Sequence, residues 1–320
     1  MDQQTSNLPN PDVYLNHYTP DGAFQFEAAR NISLVVLGAT IWDILVYVPG
    51  DIMIVRRSRP CPVIFCFVFS RIFACTLVSL AVAMTTHSIS DCHALVNSIA
   101  SMIILTMSTT SFLFLQRVRA LYTESRALRL AFTLLWAVIS VVCSITVILG
   151  AGSAHIPGTE NCHYFVVDRY TATAGFTWLF FDTLVFLAVS YWVITAHPVR
   201  DAATTRFTVS WVGLISGRAL PRLSKAVLQG GQQYYFLVIC LNLPWTILLS
   251  ISTVPSTYKV MMTPPLFALA ASMACRVFRN LKMEDFIRTQ YQLSGPVFQK
   301  FSKTTVVQTT VPQQAHLVEP

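Results

Sequence analysis

The chain has 320 residues, of which 54% are hydrophobic and only 12% are charged, and its mean hydropathy is +0.55. This number of charged residues is too small to cover the surface of a water-soluble domain. The composition therefore argues against a soluble protein and predicts a chain that lies in a lipid bilayer. The formal charge of +7 comes from short basic clusters between apolar runs, which favours anionic lipid headgroups as partners and no nucleic acid.

The N-terminal segment, residues 1–31, is polar and contains Pro9, Pro11 and Pro20. It lacks both the basic start and the apolar stretch of a cleavable signal peptide. We therefore expect the first apolar run to direct membrane insertion.

Seven apolar runs follow, and each is long enough to cross roughly 30 Å of hydrocarbon at about 1.5 Å per residue. They predict an all-α, seven-helix transmembrane domain over 32–275 and a tail over 276–320. Lys259 and the Pro264-Pro265 pair weaken the seventh run, and Pro244 predicts a kink in the sixth. The predicted spans are about 32–55, 61–84, 93–115, 130–150, 170–196, 234–254 and 258–275.

The basic residues orient these spans. With the N-terminus outside, eighteen of the 22 lysines and arginines fall in cytoplasmic segments, three fall outside, and Arg71 lies within the second span. Because positive residues collect on the cytoplasmic side, this asymmetry predicts an N-out, C-in protein of the plasma membrane or a secretory-pathway membrane.

Two of the eight cysteines, Cys92 and Cys162, fall on the oxidising outer side in this topology. A disulfide between them would tie the start of the third helix to the loop between the fourth and fifth. Two free thiols at the membrane interface are the alternative.

Three ionisable residues lie deep in the predicted spans, where a lone charge costs at least about 2.5 kcal/mol. Asp43 and Arg71 lie at similar depth on adjacent helices, so we expect them to form an ion pair, either structural or part of a ligand or proton path. Asp182 has no evident partner. For this residue a polar contact within the bundle and a ligand site are both open.

Signatures of catalysis are missing from the sequence. It contains no HExxH, no CxxC and no Gly-rich phosphate loop, although His87, His93, His155 and His163 lie in predicted outer segments where zinc is conceivable. Loop histidines are the simpler interpretation. The sequence therefore predicts no catalytic residue, no metal and no cofactor.

The cytoplasmic face carries basic amphipathic segments. Between residues 218 and 228, leucines and a valine recur at helical spacing beside basic residues, and a second mixed stretch follows Cys275 and suits an interfacial helix. Both fit either a cytoplasmic signalling partner or lipid anchoring. Cys275 is either a palmitoylation candidate or an ordinary helix-end cysteine. The basic residues assigned to this interface are Arg117, Arg119, Arg218, Arg222 and Lys225.

Six stretches within 32–282 carry a family resemblance: WDILV from Trp42, FSR from Phe69, TTSFLFLQRVRALY from Thr109, FDTLVFLAVSYWV from Phe181, LPRLSKAVLQGGQQYYF from Leu220 and MACRVFRNLK from Met273. Together they resemble a large family of uncharacterised multi-spanning membrane proteins of mushroom-forming fungi. This resemblance implies the architecture and no particular ligand.

A looser resemblance is to rhodopsin-like seven-helix receptors, through the seven spans, the possible Cys92–Cys162 bridge, Arg117 and Pro244. Gln116 stands where those receptors have an acidic residue, and TPPLF stands in place of an NPxxY motif. The expected function is receptor-like or sensory. A small-solute transporter that uses the three intramembrane charges is the alternative, and an intramembrane enzyme comes third.

Overall fold

A computed structural model describes residues 18–58, 61–155, 162–167, 169–196, 232–251 and 253–305. These residues form helices and one short hairpin of strands. The helices are α1 (Pro20–Arg57), α2 (Pro62–Thr86), α3 (Cys92–Leu121), α4 (Arg126–Gly150), α5 (Arg169–Ala196), α6 (Gln232–Ser250), α7 (Ser256–Met261) and α8 (Thr263–Thr305). The strands are β1 (Ala151–His155) and β2 (Cys162–Val167).

Six helical segments in the described part of the chain are long and apolar enough to cross a membrane. Helices α1 to α5 supply five of them, and the sixth, Ser256–Met283, combines α7 with the start of α8. A shorter apolar segment, Phe236–Ser250, lies in α6. The chain is therefore a helical membrane protein, as the composition predicts.

Helix α4 shows why the fold needs a lipid environment. Seven of its large apolar side chains lie along one face at roughly helical spacing, and each of the seven is more than half exposed. In water such a stripe would favour aggregation, whereas lipid chains can cover it. The stripe consists of Leu130, Leu134, Val138, Val141, Ile145, Ile148 and Leu149.

The helices pack in chain order around a closed ring. Each of α1 to α6 contacts the next helix, and α7 contacts both α6 and α1. Helix α3 also contacts α5 and carries many of the buried side chains, from Cys92 at its start to Val118 near its end. Helix α3 lines the first of the two cavities described below, and it packs against α2, which contributes to both.

Helix ends differ from the predicted span boundaries where proline is involved. Helix α1 begins at Pro20, where the Thr19 hydroxyl accepts the Gly22 N–H at 3.3 Å, and it continues through Pro49. Pro264 and Pro265 lie in the first turn of α8, where the missing N–H would have had no partner within the helix. The predicted seventh span is thus divided at Met262 into α7 and α8.

Many hydroxyl groups inside the helices bond to the backbone of the same helix. Ser33 donates to the carbonyl of Ala29 at 2.8 Å, and Thr183 donates to that of Leu179 at 2.7 Å. Such bonds satisfy a hydroxyl in hydrocarbon, where an unmade hydrogen bond is costly. Serines and threonines can therefore lie in these spans without polar partners on other helices.

The connection between α4 and α5 contains a short hairpin where the sequence predicts a plain loop, and the described fold is otherwise helical, as predicted. Strands β1 and β2 pair antiparallel, with Ala151 opposite Val167 and His155 opposite Cys162, and the register shifts between Gly152 and Ser153. The sequence signal was weak because the run of β residues is short and lies next to Pro157 and Gly158.

The chain divides into two compact units, 1–278 and 279–320. The first contains the helix ring and the hairpin, and the second is helical as far as Thr305. Helix α8 has no break at Cys275, so the stretch expected to form a separate interfacial helix continues α8.

Candidate functional site

The N-terminal end of α3 is covalently joined to the hairpin. Asp91 caps the helix by accepting the Ala94 N–H at 3.0 Å, and the next residue, Cys92, forms a disulfide with Cys162 of β2. The two Cα atoms are 5.5 Å apart, within the usual range for a disulfide. Both cysteines are buried in one apolar cluster with Val96 and Trp245, so the hairpin is fixed against the helix ring.

A cavity of about 120 Å³ lies in the same part of the ring, lined by residues of α2 to α8. Its walls are mostly aliphatic and aromatic, and several of them belong to the apolar cluster that contains the disulfide. A small apolar molecule would bury most of its surface there. Principal wall residues are Leu77, Val96, Ile99, Trp178, Trp245 and Phe267.

Lys259 of α7 is the one charged side chain among the described residues that line this cavity. It is only 5% exposed, and its Nζ donates to the carbonyl of Leu249 at 3.3 Å. The Trp245 indole donates to the Lys259 carbonyl at 3.3 Å and packs edge-on against Phe267. In the hydropathy pattern Lys259 only weakens the seventh span. A single lysine in an apolar helix is nevertheless a sequence signal for a functional site.

A cluster of four charged residues joins α1, α2 and α8. Arg71 lies 2.6 Å from Asp51 and 3.7 Å from Asp43, and Arg276 lies 3.6 Å from Asp43. The ring of Tyr47 lies beside both guanidinium groups, 6.0 Å from that of Arg71 and 5.3 Å from that of Arg276. Two carboxylates and two guanidinium groups leave the cluster formally neutral, which lowers the cost of burying it.

The structure thus brings Asp43 and Arg71 together, as matched depth suggested, and adds two residues that the sequence analysis left without a partner. These two residues are Asp51 of α1 and Arg276 of α8. A second cavity, of about 200 Å³, is lined by Asp43 and Arg71 together with apolar residues of α1, α2 and α8.

Asp182 lies on the buried face of α5, next to Phe181 and one turn from Val185, and is 6% exposed. Its Oδ1 has no hydrogen-bond partner in the part of the chain that the structure describes. Asp182 is not among the residues that line either cavity. The three intramembrane charges therefore do not meet at one site.

The end of α3 is anchored in the bundle. Arg117 is 7% exposed, so its side chain is part of the interior, whereas Arg119 is half-buried. The Tyr122 hydroxyl donates to the carbonyl of Ala188 at 2.9 Å and so ties this end to α5. Burial, with a smaller contribution from Tyr191, raises the pKa of Tyr122, which keeps the phenol protonated as a donor.

Cys275 is fully buried between α8 and α2, which argues against the palmitoylation alternative. Its sulfur lies 3.2 Å from the Ser70 hydroxyl and 3.7 Å from the Phe67 carbonyl. An acyl chain could be attached only if these helices separated. Cys275 is not at a helix end either, because α8 continues to Thr305. The remaining interface residues, Arg218, Arg222 and Lys225, lie outside the described residues.

Within the described ranges, no three or more His, Cys, Asp and Glu side chains form a group that could hold a metal ion. No protein-family model matches the chain, and no curated protein matches it either.

Proposed function

We propose that the chain is a receptor-like seven-helix membrane protein. It binds a small apolar molecule in the cavity whose walls are formed by helices α2 to α8. The cavity is the observation that carries this proposal. Its walls come from every helix except α1, so a bound molecule would touch nearly the whole ring. A ligand that fits one arrangement of these helices better than another shifts the population between them, which is the basis of a receptor response.

The proposal counts α6 as a membrane span, which raises the number of spans from six to seven, and it places the N-terminus outside. Helix α6 has 19 residues, which at about 1.5 Å per residue is about 28 Å, close to the thickness of the hydrocarbon core. The excess of basic residues in the segments assigned to the cytoplasm supports the orientation. An oxidising exterior also suits the Cys92–Cys162 disulfide, as in a plasma or secretory-pathway membrane.

Transport of a small solute is the second candidate, favoured by the cavity beside Asp43 and Arg71. Two observations make it weaker. Each of these charges already has a partner in the neutral cluster, and Asp182 lines neither cavity. A midplane polar path through all three residues therefore has no support in the arrangement of the described side chains.

The test uses the purified protein in lipid nanodiscs and a panel of small apolar molecules. Trp178 and Trp245 line the cavity, so we expect a ligand to change tryptophan fluorescence and to raise the melting temperature. Ala81→Phe should fill the cavity and abolish both effects. The control is Ile72→Phe on the same helix, because Ile72 is 49% exposed and does not line the cavity.

Flux measurements in proteoliposomes separate the two functions. A receptor should bind ligand without moving it across the bilayer, whereas ligand-dependent flux would favour the transporter. Binding that survives Ala81→Phe unchanged would contradict the assignment of the cavity.

A further inference from the structure

Lys259 is a buried cation in a wall that is otherwise uncharged. An ammonium group has three N–H donors, and one of them is used by the Leu249 carbonyl at 3.3 Å. A carbonyl oxygen, even one at the C-terminal end of α6, satisfies a donor but offsets only part of the positive charge. Burying such a charge is costly unless an anion accompanies it.

No carboxylate of the described residues lies within ion-pair distance of the Lys259 amino group. Arg71, another largely buried cation of the spans, has two carboxylates beside it. At Lys259 the negative charge has to come from elsewhere.

We propose that the cavity binds a small apolar carboxylate, with its anionic group paired with Lys259 and its apolar body against Trp178, Trp245 and Phe267. This inference rests on the proposed function, because it names the ligand class of the same cavity. A volume of about 120 Å³ is comparable to the roughly 150 Å³ cavity that accepts benzene, so the ligand has the size of a monocyclic or short-chain acid.

The surroundings of Lys259 favour a carboxylate over a phosphate. A phosphate group carries more charge and needs several donors, which proteins supply with arginines, backbone N–H groups or helix N-termini. Here the Trp245 indole N–H is already bonded to the Lys259 carbonyl, and no second cation lines the cavity among the described residues. One ammonium group matches one carboxylate.

Benzoate and benzamide are suitable probes, since they have nearly the same shape and differ in charge. Each is titrated into the purified protein in nanodiscs, with tryptophan fluorescence and calorimetry as readouts. We expect benzoate to bind at least about 30-fold more tightly than benzamide, because loss of one partner of a buried charge pair costs at least that factor.

Lys259→Met should remove the preference for benzoate and leave the affinity for benzamide nearly unchanged, whereas Lys259→Arg should retain it. The control is Arg30→Met, which removes a positive charge from α1 at a residue that does not line the cavity. The comparison of the two probes in the unaltered protein stands even if Lys259→Met does not fold.

Equal affinities for the two probes, unaffected by Lys259→Met, would contradict the pairing of a ligand carboxylate with Lys259. The cavity would then be an apolar binding site without charge selectivity. If benzoate does not bind but another apolar molecule does, and Ala81→Phe removes that binding, a carboxylate is ruled out as the ligand class. The cavity then remains the proposed binding site. If no member of the panel binds, the proposed receptor function is contradicted as well.

Discussion

Arg71 of α2 lies closer to Asp51 than to Asp43, at 2.6 Å from the first carboxylate and 3.7 Å from the second. The two aspartates lie on α1, so one guanidinium group joins two positions of the neighbouring helix. Asp43 in turn contacts Arg276 of α8. Arg71 is therefore the central member of a network that holds three helices together.

We expect Arg71→Leu to be the most damaging single change in this cluster. It leaves Asp51 without its nearest cation and leaves Asp43 with only Arg276, whose side chain is 33% exposed. Breaking a buried ion pair typically costs about 3–5 kcal/mol. The melting temperature and yield of folded protein in detergent measure the effect.

Combining Arg71→Leu with Asp51→Asn should be milder than the sum of the two separate changes. The double variant retains the Asp43–Arg276 pair and has no unpaired charge at Asp51. Strict additivity of the stability losses would show that Arg71 and Asp51 act independently, contrary to the short distance between them.

The coarse fold follows from the sequence for a simple physical reason. Apolar runs of about twenty residues have to form helices in a bilayer, because hydrocarbon offers no partner for an open backbone. What the pattern does not encode is where a helix continues beyond the hydrocarbon. Helix α1 begins at Pro20 because Thr19 caps it, and α8 passes Cys275 without a break, and neither depends on hydrophobicity.

The candidate site is harder to predict because it depends on which helices meet. Depth along a span can be counted, and this was enough to match Asp43 with Arg71. The preference of Arg71 for Asp51 and the approach of Arg276 depend on helix rotation, which hydropathy does not determine. The exposure of Lys259 to a cavity likewise requires the packing of residues from several helices.

We expect the disulfide to be detectable by counting reactive thiols. The sequence has eight cysteines and the structure leaves six of them free, so a denatured, non-reduced sample should take up six maleimide groups and a reduced one eight. Cys92→Ala combined with Cys162→Ala should lower stability by about 2–4 kcal/mol. Cys240→Ala, at an exposed free cysteine, is the control. Uptake of eight groups without reductant would contradict the bond.

Gly175 of α5 should tolerate a large side chain poorly. A Cβ atom there would lie 3.2 Å from a methyl carbon of Thr246 on α6, so Gly175→Leu forces the two helices apart and should cost at least about 1–3 kcal/mol. Gly38→Leu on α1 is the matched control, because nothing lies within 4 Å of its Cβ position. A lower melting temperature for Gly175→Leu alone is expected, and equal losses would contradict close α5–α6 packing.

The proposed orientation predicts opposite fates for two terminal tags. Protease added to sealed cells should remove a tag placed before Met1 and leave one placed after Pro320 intact, since the basic segments hold the C-terminal side in the cytoplasm. Permeabilised cells, in which both tags should be lost, provide the control. Loss of only the C-terminal tag in sealed cells would overturn the orientation or the count of seven spans.

Replacement by leucine should lower stability at one aspartate of the spans and not at the other. Asp51 lies 2.6 Å from Arg71, so Asp51→Leu should lower stability by about 1–3 kcal/mol. Asp182 is 6% exposed and its Oδ1 has no hydrogen-bond partner among the described residues, so the folded state gains little from the carboxyl group and loses its hydration.

Asp182→Leu should therefore leave the melting temperature unchanged or raise it, because an apolar side chain of similar size removes the buried polar atoms. If Asp182→Leu lowers stability as much as Asp51→Leu does, Asp182 makes a stabilising contact and its carboxyl group is structural. If the variant is stable but loses its response to cavity ligands, Asp182 has been retained for function at a cost in stability, although it does not line the cavity itself.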